Sequence, residues 1–200
     1  AQGLADFLKV LVGQELLSSS NQDPYVRTHP LSQQRIDVIN THLKKSQFSG
    51  TPTSQEFKIR HERMRAKLSA FLQPTTKTLR QYPLRDRSIN ARYARAVALY
   101  KRSQLDKALP IIEELIKEYP DDPFFHELKG QMLFENGRAK AALPSYERAA
   151  RLLPTSALLR GGLARVQLDI GKPKLISQAI GNFRSALKKE PRNAFYWRQL

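Results

Sequence analysis

The stretch PDDPFFHELKGQMLFENGRAKAALPSYERAARLLP, residues 120–154, decides the fold, because it is one period of a repeat in the C-terminal half of the chain. It begins and ends on a proline, and the two prolines lie 34 residues apart. Small residues return at the same interval: Ala96, Gly130 and Ala164 form one series, and Ala108 and Ala142 form another. Small residues at a fixed interval indicate positions where two helices approach closely. We therefore predict an all-α fold of stacked helix pairs.

A period of 34 residues is typical of the tetratricopeptide repeat (TPR), a pair of helices joined by a short turn. A third unit ends at Pro191, 37 residues after the proline of the preceding unit, and has small residues at Ala179 and Ala186. We expect its three additional residues to lengthen the turn GKPKLIS, residues 171–177. The segment NAFYWRQL, residues 193–200, begins a fourth unit. Since no polar capping helix follows, we expect the chain to be part of a longer protein.

The N-terminal part is also predicted to be helical, without a repeat. The spacing i, i+3, i+4, i+7 predicts a first helix with an apolar face at Leu4, Phe7, Leu8 and Leu11. A longer helix that opens at Thr53 and ends before Pro74 is predicted to bury Phe57, Met64, Leu68 and Phe71. We predict three parts: two helices in 1–50, a basic helical connector in 51–87, and a TPR array of three units plus the start of a fourth in 88–200.

The formal net charge of +16 raises the hypothesis of a nucleic-acid partner. The excess lies in two separate blocks: residues 51–87 hold 9 basic and 3 acidic side chains, and residues 157–200 hold 9 and 2. Residues 88–122 between them hold 6 of each. Because the charge forms no continuous stripe and no nucleic-acid motif accompanies it, we predict no nucleic-acid partner; strongly salt-dependent binding to DNA or RNA would contradict this. No apolar run is long enough to predict a transmembrane segment.

His29 and Arg35 are the candidate catalytic residues, in the segment RTHPLSQQRI. A histidine ahead of a helix can face a metal ion or a polarised carbonyl group, and an arginine nearby can orient a carboxylate. The alternative is a structural role in which Thr28 caps the helix, Pro30 occupies its first turn and His29 is simply exposed. His61 has no second histidine one helical turn later, so it predicts no zinc site. With no cysteine, the chain has neither disulfides nor thiol chemistry.

A partner-binding surface is predicted on the first helices of the repeats, which line the concave side of a TPR array. Its candidate residues are Tyr93, Tyr100, Phe124, Glu127, Gln131, Phe134 and Arg165. Aromatic side chains mixed with charges suit a peptide or a neighbouring domain. The alternative is that several of these aromatic rings belong to the core between repeats, because helical spacing does not separate core from groove.

The opening helix GLADFLKVL, the segment RTHPLSQQRI and the TPR array together resemble the HtpX-like zinc metallopeptidases of the bacterial periplasm that carry C-terminal TPR repeats. The resemblance implies that residues 1–50 end a peptidase domain whose HExxH motif and glutamate ligand precede Ala1. It implies catalytic roles for His29, as a fourth zinc ligand or an oxyanion donor, and for Arg35 as its support. Zinc is then expected in the full-length protein, and no cofactor in this chain alone.

The resemblance also implies a place and partners. It implies a periplasmic protein that acts in envelope protein quality control, with protein or unfolded polypeptide substrates and the outer-membrane assembly machinery as a partner. The first hypothesis is therefore the C-terminal part of a zinc endopeptidase, inactive by itself, whose TPR part binds partners or substrates. The second is a non-enzymatic TPR adaptor that binds a protein or peptide partner.

Overall fold

The computed structural model describes residues 2–17 and 32–200, and in these ranges the regular structure is entirely helical. The helices are α1 (Gln2–Leu17), α2 (Ser32–Lys45), α3 (Gln55–Leu72), α4 (Thr75–Gln81), α5 (Ile89–Lys101), α6 (Leu105–Glu118), α7 (Pro123–Glu135), α8 (Ala139–Leu152), α9 (Ala157–Ile170), α10 (Pro173–Leu187) and α11 (Ala194–Arg198). They fall into two compact units, Ala1–Gln55 and Glu56–Leu200. The prediction of an all-α fold is confirmed.

The N-terminal unit is a pair of helices, α1 and α2, that pack on each other. Its buried apolar side chains are Ala5, Leu8 and Ile36. Leu4 and Phe7, which the spacing placed on the apolar face of α1, are 50% and 57% exposed. The buried stripe of α1 therefore passes through Ala5, and its small side chain lets the second helix come close.

The repeat unit contains three helix pairs, α5/α6, α7/α8 and α9/α10, followed by α11. Its first helices begin at polar caps, which lie 34, 34 and 37 residues apart. The side chains of these caps, Ser88, Asp122, Ser156 and Asn193, each accept a hydrogen bond from a backbone N–H of the following first turn. The predicted small residues are all buried, namely Ala96, Ala108, Gly130, Ala142 and Ala164. The repeating pattern thus specifies both where the first helices begin and where the helices touch.

The third unit does not lengthen its turn as predicted. Helix α9 ends at Gly171, which has the left-handed φ of 73°, and Pro173 already occupies the first turn of α10. A left-handed glycine and a proline at a helix start make a tight connection of two residues. The additional residues lie elsewhere: α10 has 15 residues where α8 has 14, and residues 188–193 form a longer link to α11.

Helix α3 buries a different side from the predicted one. Phe57, Met64 and Leu68 are 67%, 55% and 49% exposed, whereas Ala66 and Ala70 are buried. Phe71 is partly buried against the core of the repeats. The helix turns its small residues inwards because it lies close to two other helices, as described below.

The described helices include none that is both long and apolar enough to cross a membrane.

Candidate partner-binding site

The predicted catalytic residues are only partly within the described ranges. His29 lies outside them, so its role as a zinc ligand or catalytic group stays a prediction. Arg35 is an exposed residue of α2. Across residues 2–17 and 32–200, no three histidine or acidic side chains are gathered as a metal site.

The first helices of the repeats, α5, α7, α9 and α11, form one surface, which we call the inner face. On this face Tyr93 of α5 and Phe125 of α7 have ring centroids 6.0 Å apart. Arg165 of α9 lies over rings of both α7 and α11. The predicted partner-binding residues all lie on these helices, but the structure divides them into a covered group and an open group.

Helix α3 covers the inner face at α5 and α7. The guanidinium group of Arg63 binds both carboxylate oxygens of Asp122, one at 2.8 Å, and its Cζ lies 4.4 Å from the ring centroid of Phe125. Both partners of this ion pair are largely buried, with side-chain exposures of 27% and 19%. A bidentate pair stacked on an aromatic ring is among the stronger polar contacts that proteins form. It joins α3 to the start of α7.

The other end of α3 is held by Lys101 at the end of α5. Its Nζ donates to the carbonyl oxygens of Phe71 at 2.6 Å, Ala70 at 3.2 Å and Gln73 at 3.3 Å. The last carbonyl groups of a helix have no partner within the helix, and the negative end of the helix dipole attracts a cation. Helix α3 is therefore attached at two points, to α7 and to α5.

This cover takes Tyr93 off the open surface and places Phe124 against cations of α3, whereas Tyr100 still lines a second cleft with Phe71 and Glu135. Tyr93 is 2% exposed, and burial raises the pKa of its hydroxyl. The ring of Phe124 lies under the cations of Arg63 at 5.8 Å and Lys67 at 5.7 Å. Tyr100 is half-buried and donates a hydrogen bond to Glu135. These three aromatic residues contribute to packing inside the unit.

The remaining predicted residues lie at a cleft of about 230 Å³ between α7, α9 and α11. Glu127, Gln131 and Arg165 line this cleft directly. The guanidinium Cζ of Arg165 lies 5.3 Å from the ring centroid of Phe134 and 5.5 Å from that of Phe195. Arg165 is exposed, and none of the described carboxylates lies within ion-pair distance of it. Its N–H groups are therefore available to a bound molecule.

Glu127 is the unusual residue of the cleft. It is only 8% exposed, yet within the described part of the chain its carboxylate accepts no hydrogen bond and forms no ion pair. Burial raises its pKa, and the charge of Lys67 acts in the opposite direction. By contrast, Glu135 accepts hydrogen bonds from Gln131 Nε2 at 2.9 Å and from Tyr100. Glu127 is thus a buried acid without a bonded partner at the wall of an open cleft.

Among the cleft residues that the sequence did not predict are Tyr146 and Phe195. Tyr146 belongs to the second helix of its pair, but its ring reaches the cleft between Gly130 and Gly162. A Cβ on these glycines would lie 2.7 Å and 2.5 Å from the ring. The two glycines were the available signal, because a small residue on each neighbouring helix leaves room for a large ring. Phe195 belongs to α11, which follows the third helix pair.

Comparison with known proteins agrees with this architecture. Residues 93–157 match the family model described as tetratricopeptide repeat. The solved structure named MamA MSR-1 C2 is 18% identical, with 72% of this chain and 82% of that chain covered and a TM-score of 0.55. The thermophilic TPR protein TTC0263 of Thermus thermophilus is 19% identical, over 84% of this chain and 90% of that chain, with a TM-score of 0.52.

No curated protein matches this chain. At the identities given above, the likeness to solved structures concerns the fold alone. Residues 93–157 are therefore tetratricopeptide repeats, and the chain is an all-helical protein with TPR-like repeats.

Proposed function

We propose that the repeat unit binds a segment of a protein partner in the cleft between α7, α9 and α11. One observation carries the proposal: α3 covers the inner face at α5 and α7, and the cleft is a part of that face that α3 leaves open. An interface typically centres on aromatic and arginine side chains, and the cleft offers Arg165 and Phe195 together. The function is thus that of a protein-interaction module.

The size of the cleft supports a peptide segment over a small-molecule ligand. Pockets for small molecules usually enclose about 300 to 1,000 Å³ and are mostly apolar. This cleft encloses about 230 Å³ and is lined by charged and amide side chains as well as rings. It can receive one or two side chains of a partner, while Arg165 donates to the partner's backbone carbonyl groups.

The proposal is tested with a photo-crosslinking amino acid in the full-length protein in its own cells. Leu158 lines the cleft and is 50% exposed, so it can be replaced without loss of packing. The control position is Lys188, an exposed residue at the end of α10. We expect a defined protein to be crosslinked from position 158 and not from 188, and Arg165→Gln to weaken that crosslink. Crosslinking from neither position, or equally from both, would contradict the proposal.

We further propose that this module serves a zinc endopeptidase of the bacterial cell envelope. The support is the segment RTHPLSQQRI, which leads into α2 ahead of TPR-like repeats. In this proposal the parent protein binds zinc, His29 and Arg35 serve its active site, and its substrates are envelope proteins. His29→Ala in the full-length protein should strongly reduce or deregulate proteolysis, whereas His42→Ala, at an exposed position of α2, should not. Unchanged proteolysis in the His29 variant would leave the adaptor hypothesis.

A further inference from the structure

We propose that the cleft recognises a lysine or arginine side chain of the bound segment, and that Glu127 receives its positive charge. This inference rests on the proposed function, since it specifies which protein segment the cleft would bind. It assigns to Glu127 the role of a specificity-determining residue on the wall formed by α7.

The Glu127 carboxylate is in an environment that a bound cation would stabilise. Glu127 is 8% exposed as a residue and has no bonded partner within the described ranges, so its carboxylate is partly desolvated and only the charge of Lys67, at a distance, compensates for this. Such groups are normally paired or hydrogen-bonded in folded proteins. Lys67 faces Glu127 from α3, but it lies over the ring of Phe124 at 5.7 Å and forms no ion pair with the acid. A cation entering the cleft would supply the missing partner.

The side chains around Glu127 can accept hydrogen bonds from a bound cation. The side-chain amide of Gln131 donates from its Nε2 to Glu135. The Oε1 of the same amide takes no part in that bond and is an acceptor. Tyr146 lines the same cleft, and the charges of Glu127, Arg165 and Glu135 act on its hydroxyl group. An ammonium or guanidinium group carries three to five N–H donors, and the acceptors of Glu127, Gln131 and Tyr146 match that number.

An acidic side chain of a partner would fit this cleft less well than a basic one. Two carboxylates, Glu127 and Glu135, line the cleft, and a third negative charge beside them would be repelled. Arg165 also lines the cleft and attracts anions, but it is exposed, and its guanidinium group lies over two aromatic rings. The net charge of +16 favours acidic partners at long range. Salt screens this attraction beyond about 8 Å, so direct contacts decide what enters the cleft.

The test starts from a random 12-residue peptide library displayed on phage and selected on the whole purified chain. We expect the selected peptides to share one lysine or arginine. Replacing it by glutamine in a synthetic peptide should weaken binding roughly 30-fold or more, because it removes one member of a buried charge pair. Glu127→Gln should weaken binding of the original peptide by a similar factor. Combined, the two changes should weaken it little further, as a double-mutant cycle requires for direct partners.

The matched control is Glu114→Gln, the same change at an exposed position of α6, and it should leave the affinity unchanged. A thermal melt establishes that Glu127→Gln is folded, and the lysine-to-glutamine peptide probes the unmodified protein in any case. Peptides without a shared cation, acidic peptides, or binding indifferent to Glu127→Gln would overturn the inference. So would a selection that yields no binder.

These results separate the two proposals. If the selected peptides share no lysine or arginine while position 158 still crosslinks a partner, the cleft binds protein through Arg165 and the rings, and the proposed function stands. If the peptides share a lysine or arginine but position 158 crosslinks nothing in cells, the proposed cation recognition is correct and the proposed cellular role is wrong.

Discussion

At the scale of single residues, the ring of Tyr146 depends on the two glycines beside it. It lies between Gly130 and Gly162, and a Cβ at Gly162 would approach the ring to 2.5 Å. Because Gly130 blocks the other side at similar range, the ring cannot move aside. A glycine inside a helix costs about 1 kcal/mol relative to alanine, so both positions sacrifice helix stability for this packing.

We therefore predict that Gly162→Ala lowers the free energy of unfolding. Overpacking of about 1 to 3 kcal/mol should outweigh the gain of about 1 kcal/mol in helix propensity. The matched control is Gly181→Ala in α10, where a new Cβ would meet nothing within 4 Å. That change should stabilise the protein by up to about 1 kcal/mol. Urea unfolding of both variants measures the difference, and an equal gain in both would show that the ring is free to move.

Glu127 gives a second prediction at this scale, for the pH dependence of stability. Its pKa is raised in the folded state, whereas in the unfolded chain it is near the usual value of about 4.3. Between these two pKa values Glu127 binds more protons in the native state than in the unfolded state. Its contribution to the free energy of unfolding therefore falls as the pH rises. Three ionisable groups face this carboxylate from other helices: Lys67 of α3, Tyr93 of α5 and Tyr146 of α8.

We expect Glu127→Gln to be more stable than the unmodified protein at neutral pH. The stability difference should shrink as the pH falls and disappear below about 4, where the acid is protonated in both states. Unfolding in urea at several pH values between 4 and 8 measures it, with Glu114→Gln as the charge-matched control. A difference that does not vary with pH would mean that the pKa of Glu127 is the same in the folded and unfolded states.

At the scale of elements, α3 shows what periodicity predicts and what it misses. The predicted start at Thr53 and the predicted end before Pro74 each lie within two residues of the observed bounds, Gln55 and Leu72. Its buried side was wrong, because large apolar residues were assumed to face the core. Ala66 and Ala70 face the core instead, since a helix held against α5 and α7 by Arg63 and Lys101 needs small residues at the contact. The sequence contains no local signal for these long-range ion contacts.

The docking of α3 is open to a direct test at this scale. Arg63→Gln should lower the free energy of unfolding by roughly 1.5 to 3 kcal/mol, the usual range for hydrogen bonds to charged groups. It should also speed hydrogen exchange in the turns of α3 around Arg63, since Lys101 still holds the last turn. Arg60→Gln is the control, because Arg60 pairs with Glu56 on an exposed face and such pairs contribute about 0.3 to 0.5 kcal/mol. Equal effects of the two variants would mean that α3 is not held by Arg63.

The cleft was only partly predictable at the level of elements. Glu127, Gln131 and Arg165 followed from the rule that first helices line the groove. Tyr146 did not, because a second-helix residue reaches the cleft only through a gap that the glycines create. The covered state of Tyr93 did not follow either, since it depends on where α3 lies.

At the scale of the whole molecule, the 34-residue period was enough to predict the repeat architecture. Small residues and caps that recur at a fixed interval form contacts between helices that are neighbours along the chain. Their period can therefore be read from the sequence. The division after Gln55 is different, because it depends on which contacts α3 makes in space. Helix α3 belongs with the repeats, and residues 52–200 contain the contacts of Arg63 and Lys101 that hold it.

We predict that residues 52–200, produced alone, unfold in one cooperative transition with the melting temperature that the repeat unit has in the whole chain. The reason is that their buried core is formed by contacts within Glu56–Leu200. Circular dichroism during heating measures it, and residues 88–200 serve as the comparison, because they lack α3 and α4 and should melt lower. Equal melting temperatures for the two pieces would show that α3 contributes nothing to the fold.

The ring of Tyr146 has a further consequence in evolutionary terms. A tyrosine at position 146 favours glycine at 130 and 162, because an alanine at either position would force the ring to shift. A chain that first replaced Tyr146 by a smaller side chain would release both glycines at once. In sequences that descend from a common ancestor with this protein, the three positions should therefore change together, in the order ring first and glycines afterwards.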